Sequence, residues 1–292
     1  MSLDIKTLMK NVKPSVNQEL ARLYPENKKP TGYESTDQAI RYMILNDNSK
    51  RIRPTLVAAA NILVGGNLKN YMPSAIAVEE IHTYSLILDD IQDKSDMRHG
   101  QASCHKQFDE HTANLAAVRL LARGSRRLPI SSDIRSHETM DELIDQMHRG
   151  QAADLNMPGW TDEKKTLEAL AFIHAGKTSC LFQLSLLAGA VSGGASYEQA
   201  QPLLEYGHYL GLVFQGQDDI LSATLTTEEL GKPAGATADE GKLTIIKQFN
   251  GNVDMARKEI DSMAKLGLSF VQNFKQAKLL IGVMDMALKH KK

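Results

Sequence analysis

Two clusters of carboxylates in this chain have the spacing that suits a hard cation. The first lies in IHTYSLILDDIQDKSDMRHG (81–100), where Asp89, Asp90 and Asp93 form D-D-x-x-D at the end of an apolar run. On a helix, Asp89 and Asp93 at i and i+4 share a face, with Asp90 beside them. Like charges so placed destabilise a helix, so something must compensate them. Magnesium takes oxygen ligands, usually one or two carboxylates plus substrate phosphates. The second cluster, Asp218-Asp219-Ile220-Leu221-Ser222, ends another apolar helix that carries Leu210, Leu212, Val213 and Phe214. Either cluster alone is a weak signal, which a solvated acidic helix end would also give. Two at matching helix ends, facing across a bundle, predict a cavity where Mg²⁺ bridges a diphosphate and neutralises charge on a leaving group.

Basic residues accompany both clusters. Lys50 and Arg53 flank a predicted helix start, whose N–H groups also favour anions. Arg98 follows the first cluster closely. Lys177-Thr178 opens a helix, and Lys232 and Lys242 bracket the segment after the second cluster. Each alone is an ordinary surface charge; their placement around both acidic motifs is the signal.

The elements that must position these groups are helical almost throughout. Apolar residues recur at three- and four-residue steps over 3–23, and Ser35 or Thr36 can cap a helix through about Asn46. Pro54 suits a first helical turn, and Gly65-Gly66 stop that helix. The stretch 74–93 is apolar on much of its surface, as a core helix is. Further helices are predicted over 107–127, 136–150, 162–175, 177–192, 196–223, 242–249 and 252–289, the last broken near Gly267, with a long loop over 224–241. No alternating strand pattern, internal repeat or linker stands out. The expectation is one all-α domain over 1–292, a bundle of ten or more helices around a central cavity.

Composition narrows the function classes. With 292 residues, 42% apolar, 24% charged and a formal net charge of −1, the chain is globular and does not look like a nucleic-acid binder. Cys104 and Cys180 make neither a disulfide framework nor a zinc site, which suits a reducing cytosol. The first residues, MSLDIKTLMKNVKP, lack signal-peptide form. The most apolar stretch, 181–195, is too short and too rich in Gly and Ser for stable membrane insertion. A cytoplasmic protein is expected.

DDIQD, SKRIRP, LEYG-YLGLVFQ–DDIL and LGKPAG–GK-T together resemble the trans-isoprenyl diphosphate synthases, such as farnesyl and geranylgeranyl diphosphate synthases. The resemblance runs over roughly residues 35 to 250 in the family's order. It implies the all-α isoprenoid-synthase fold, usually a homodimer, and condensation of an allylic diphosphate with isopentenyl diphosphate. It implies Mg²⁺ held by Asp89, Asp93 and Asp218, with Asp90 and Lys177 in the catalytic set. Lys50, Arg53 and His82 match positions that bind isopentenyl diphosphate, with His99 joining the substrate-binding set. Arg98, Lys177, Thr178, Gln215, Lys232 and Lys242 match allylic-diphosphate contacts. In the family a bulky residue five positions before the first Asp acts as a floor. Tyr84 there, with small Ser85 beside it, implies C15 to C20 products.

Four departures stand against the pattern. His99 replaces the second arginine after the first motif, Ser222 and Thr237 stand where Asp is common, and the Gly-Asp before Leu120-Leu121 is lost. They leave two other readings: an inactive homologue that tunes an active subunit, and a class I terpene cyclase. The cyclase motif needs Glu at 226, which is Thr, and a cyclase has no use for Lys50 and Arg53. Arg123, Arg126 and Arg127 are unexpectedly basic for a helix that the fold partly buries.

Overall fold

Helices make up nearly all of the regular structure, as the apolar spacing predicts. The computed structural model describes residues 3–26, 32–224 and 242–289; Lys232, Thr237 and the rest of 225–241 lie outside the described residues. The chain divides into two compact units. The N-terminal unit is Lys6–Ile130 with Ala188–Gly194, and the C-terminal unit is Ser131–Leu187 and Ala195–Lys292 with the first five residues.

The N-terminal unit holds helices α1 (Ile5–Leu23), α2 (Glu34–Ile44), α3 (Ile52–Leu63), α4 (Met72–Gln92), α5 (Cys104–Gln107) and α6 (Glu110–Arg127). α4 is its core helix: Ala75, Ile76, Ala77, Val78, Ile81 and Ile87 are all buried. It also buries two adjacent carboxylates, Glu79 and Glu80. Glu79 pairs with Arg51, whose guanidinium also donates to Ile44 O at 2.6 Å and Asn17 Oδ1 at 2.9 Å. Glu80 accepts from Arg127 Nε at 3.1 Å and from the Tyr24 hydroxyl. Three of the four arginines of α6 therefore have work to do. Arg127 neutralises a buried charge, Arg123 lies 4.7 Å above the Tyr24 ring, and Arg119 pairs with Asp37 at 2.9 Å and covers Tyr33. A buried carboxylate is tolerable only with such partners.

Between α4 and α5 the chain makes a small antiparallel hairpin, β1 (Met97–Arg98) and β2 (Gln101–Ala102). Sequence periodicity missed it, because two-residue strands have no alternation to read. His99 and Gly100 form its turn, with φ of 50° and 77°. Positive φ at both central residues is the type I′ geometry that matches strand twist, and His is among the few side chains that tolerate it.

The C-terminal unit holds α7 (Ile134–Asn156), α8 (Leu167–His174), a π-helical turn (Ala175–Ser179), α9 (Cys180–Ser192), α10 (Tyr197–Thr224), α11 (Ile245–Gln248), α12 (Val253–Val271) and α13 (Lys278–Leu288). The end of α9 belongs to the N-terminal unit. α10 is buried along most of its length, and its Tyr206 hydroxyl donates to Leu280 O at 2.7 Å. The helical run Leu167–Ser192 is longer than the stretch 181–195, and by length and mean hydropathy (1.2) it could cross a bilayer; 72% of its apolar window is buried, as in a core helix.

Several boundaries differ from those predicted: the helix predicted over 107–127 divides into Cys104–Gln107 and Glu110–Arg127, the one predicted over 162–175 starts at Leu167, and three further differences have clear causes. α2 starts at Glu34 with Tyr33 at its cap, so Ser35 and Thr36 lie in the first turn, where Glu34 and Asp37 suit the helix dipole. α7 runs through Gly150, because that glycine meets Gly176 of the π turn; a Cβ at 150 would lie 2.6 Å from Gly176 Cα. The last helix breaks between Val271 and Lys278 and not near Gly267, which packs against Tyr209.

Candidate active site

The predicted site residues fall in both units, and each unit builds its share differently. In the N-terminal unit α4 delivers Asp89, Asp90 and Asp93 in its last turn, with Asp93 at the C-cap. The three are not equivalent. The Asp90 side chain is 0% exposed, whereas Asp89 is partly exposed and Asp93 is at the surface. Arg98 reaches back from β1: its Nε donates to the two Asp90 oxygens at 2.9 and 3.1 Å, and Nη2 donates to Asp89 Oδ2 at 3.2 Å. This is the counter-charge that the adjacent carboxylates require. Burial pushes the Asp90 carboxyl above the usual range, and Arg98 opposes that shift.

The basic group near α3 is arranged by one strained residue. Arg51, in the left-handed region at φ 53°, is the N-cap of α3 and turns its side chain into the core against Glu79. Lys50 is left exposed, and Arg53 is half-buried beside His82, with Nη1 3.0 Å from His82 Nε2. A guanidinium can only donate, so His82 Nε2 accepts and the proton is on Nδ1. Burial and the neighbouring Arg53 hold His82 well below its ordinary pKa, so it is neutral at pH 7. Burial lowers Arg53 to about 10, so it remains a cation. His99 is also held below its usual value, by partial burial and by Arg98. Tyr84 is buried at 4% exposure, and Ser85 Oγ turns back to His82 O at 2.9 Å.

In the C-terminal unit the Gly150–Gly176 contact brings the π turn against α7, and this places Lys177 Nζ 2.8 Å from Asp154 Oδ2. Lys242 Nζ reaches the same oxygen at 3.1 Å. Burial opposes ionisation of Asp154, but the two lysines prevail and hold it below the usual carboxylate range. Thr178 Oγ1 donates to Gln215 Oε1 at 2.8 Å, and Gln215 Nε2 lies 3.4 Å from Asp219 Oδ1. Asp219 is buried. It accepts the Ile245 N–H at 2.9 Å and faces His174 Nε2 at 3.5 Å. It thus pins the start of α11 and, three residues earlier, Lys242. Phe214 packs edge-on against Phe182 at 5.8 Å.

The second aspartate of each motif is therefore spent internally, Asp90 on Arg98 and Asp219 on the chain at Ile245. The first, Asp89 and Asp218, remains part-exposed. Sequence reading missed Asp154, His174 and Arg51. Asp154 carried a usable signal: it continues the buried stripe Met140, Leu143, Met147, Gly150 of α7, where an apolar residue is expected.

The donor set fits a magnesium ion. Asp89 and Asp93 are hard oxygen donors one turn apart on a solvent-reachable face. Among the described residues no three Asp, Glu, His or Cys form a closed metal cage, and Mg²⁺ characteristically completes its shell with water and phosphate. Both thiols are buried, and burial pushes them up to about 12, so they are protonated at neutral pH.

Comparison with known proteins shows the family and the fold. Residues 34–278 match the polyprenyl synthetase family. The chain is 38% identical over 255 residues to geranylgeranyl pyrophosphate synthase 12, chloroplastic, of Arabidopsis thaliana, covering 83% of this chain and 69% of that protein. It is 36% identical to geranylgeranyl pyrophosphate synthase 6, mitochondrial, of the same plant, over 96% of this chain and 89% of that one. Its fold superposes on geranylgeranyl pyrophosphate synthetase from Pyrococcus horikoshii with a TM-score of 0.83 at 23% identity, covering 98% and 99% of the two chains. A polyprenyl synthase from Caulobacter crescentus, complexed with calcium and isoprenyl diphosphate, gives 0.82 at 22% identity over 100% and 99%.

Proposed function

Because the chain belongs to the polyprenyl synthetase family of trans-prenyltransferases, we propose that it condenses isopentenyl diphosphate with an allylic diphosphate to a C15–C20 prenyl diphosphate, with Mg²⁺ as cofactor. The observation that carries this reading is the division of labour in the first motif. Asp90 is buried on Arg98, while Asp89 and Asp93 reach solvent as hard oxygen donors. Magnesium held by Asp89, Asp93 and Asp218 would neutralise the charge that develops on the departing diphosphate.

The protein's own groups bind and orient. Lys50, Arg53 and neutral His82 supply cationic and hydrogen-bonding contacts for isopentenyl diphosphate, with His99 beside them. Arg98, Lys177, Thr178, Gln215 and Lys242 do the same for the allylic diphosphate, as does Lys232 on the resemblance alone. The allylic carbon–oxygen bond breaks first, giving an allylic cation and diphosphate; the isopentenyl double bond then attacks the cation, and the adduct loses a proton to the departed diphosphate. No protein nucleophile takes part; the site contributes positioning and electrostatics. Tyr84 sets a short product, with Ser85 leaving room for the longer end of the range.

The reading includes a single catalytic domain, since the family match spans both units. It includes a homodimer, for which α6 presents Leu115 and Val118, each 59% exposed and one turn apart. It also includes a cytoplasmic location, in keeping with two unpaired thiols. Incubating the purified protein with Mg²⁺, isopentenyl diphosphate and each allylic diphosphate tests the activity. Elongation to C15 or C20 bears it out. No turnover favours the regulatory homologue, and a hydrocarbon from the allylic substrate alone favours a cyclase.

A further inference from the structure

The hairpin that carries Arg98 and His99 is too small to hold itself, since even a longer isolated two-stranded hairpin is marginal in water. From one side the Arg98 side chain ties it to Asp90. From the other, three hydrogen bonds tie its backbone and its Gln101 side chain to α2 and the residues just after it. Tyr42 Oη donates to Ala102 O at 2.7 Å, Gln101 Nε2 donates to Tyr42 O at 3.2 Å, and Asn48 Nδ2 donates to His99 O at 2.9 Å. The Tyr42 ring is set by an edge-on contact with Phe108 at 5.6 Å. Little packing supports the turn itself: Gly100 is exposed and His99 is only partly covered. Tyr42, Asn48, Gly100, Gln101 and Phe108 line an open cleft of about 760 Å³. Hydrogen bonds, and not side-chain packing, therefore decide where the turn stands.

We propose that Tyr42, assisted by Asn48, is a positioning residue for diphosphate binding. It fixes the register of the His99–Gly100 turn, and with it the place at which Arg98 and His99 meet substrate. The type I′ turn is favoured by itself, so the hydrogen bonds from Tyr42 and Asn48 decide where it stands and not whether it forms. The inference rests on reading Arg98 and His99 as diphosphate contacts, and its test separates the two.

The measurements are binding of inorganic pyrophosphate with Mg²⁺ by calorimetry, steady-state kinetics and thermal unfolding. The variants are Tyr42→Phe, Asn48→Ala, Arg98→Gln and Tyr42→Phe/Arg98→Gln. Tyr42→Phe keeps the ring contact and removes one donor. It should weaken pyrophosphate binding and raise substrate KM by roughly three- to tenfold, the worth of about one hydrogen bond, with kcat nearly unchanged. In the Arg98→Gln background the same change should add clearly less, because of the two groups being positioned only His99 remains. Wild-type pyrophosphate binding in Tyr42→Phe alongside weakened binding in Arg98→Gln overturns the inference. Wild-type binding in Arg98→Gln overturns the reading of Arg98 instead. Should Tyr42→Phe fail to fold, Asn48→Ala at an exposed position carries the same test with the same outcomes.

Discussion

Arg98 holds both oxygens of Asp90 with one donor, its Nε lying 2.9 Å from Oδ1 and 3.1 Å from Oδ2, and the Asp90 side chain is fully buried beneath it. The middle carboxylate of the motif thus serves an arginine, which also reaches Asp89, and on the proposed reading it is Asp89 and Asp93 that serve the ion. Asp90→Asn should raise KM for the allylic diphosphate by about tenfold, as the charge-assisted pair is lost, and leave the Mg²⁺ dependence of the rate unchanged. Asp89→Asn and Asp93→Asn should lower kcat by about 10²–10³ and shift the Mg²⁺ dependence. A Mg²⁺ shift in Asp90→Asn would place that residue on the metal instead.

His99 lacks the permanent charge that an arginine has. Partial burial and Arg98 hold its pKa down, so it contributes little positive charge at pH 7. His99→Arg should lower KM for isopentenyl diphosphate by roughly three- to tenfold, through a charge-assisted contact. An unchanged KM counts against His99 as a substrate contact.

Asp154 holds Lys177 and Lys242 on one oxygen, at 2.8 and 3.1 Å. Asp154→Asn removes the carboxylate charge that both ammonium groups share. The variant should lose about 2–4 kcal/mol of stability, somewhat below the figure for a fully buried pair because both lysines keep some solvent contact. Pyrophosphate with Mg²⁺ should raise its Tm more than that of the parent, since a bound anion replaces the missing charge. Equal shifts would show that the lysines do not face the ligand.

Arg51 and Glu79 are buried together. Arg51→Met should cost about 3–5 kcal/mol by leaving Glu79 unpaired, and Arg51→Met/Glu79→Leu should recover most of that loss. Urea unfolding of the single and double variants measures both. A double variant no better than the single would show that the strained turn at Arg51 matters more than the charge.

His82 gives the fold an acid sensitivity with a definite sign. Burial and Arg53 depress its folded pKa well below the unfolded value of about 6.5. Below that pH the unfolded chain takes up a proton that the folded chain refuses, so stability is complete above about pH 6.5 and falls as pH drops further. His82→Gln can still accept from Arg53. It should flatten the urea midpoint between about pH 6.5 and 5 relative to the parent; an unchanged slope would assign the effect to other buried histidines, such as His174.

Sequence alone determined the helical class, most helix positions, and the two acidic motifs with their basic company. These are local properties: apolar spacing fixes which face of a helix is buried, and i, i+4 spacing fixes which carboxylates share a face. Tertiary structure decided what each charged residue is for. Asp89 and Asp90 are neighbours in sequence, yet one reaches solvent and the other is sealed under Arg98, because packing around α4 distinguishes its faces. Arg123 and Arg127 looked misplaced until Tyr24 and Glu80 were found beneath them. Asp154 became visible as a site residue only when two glycines, 150 and 176, let the π turn approach α7. The turn at His99 was set by Tyr42 and Asn48, more than fifty residues away. Local periodicity carries no information about such partners, because the energy of a buried charge depends on which distant groups surround it.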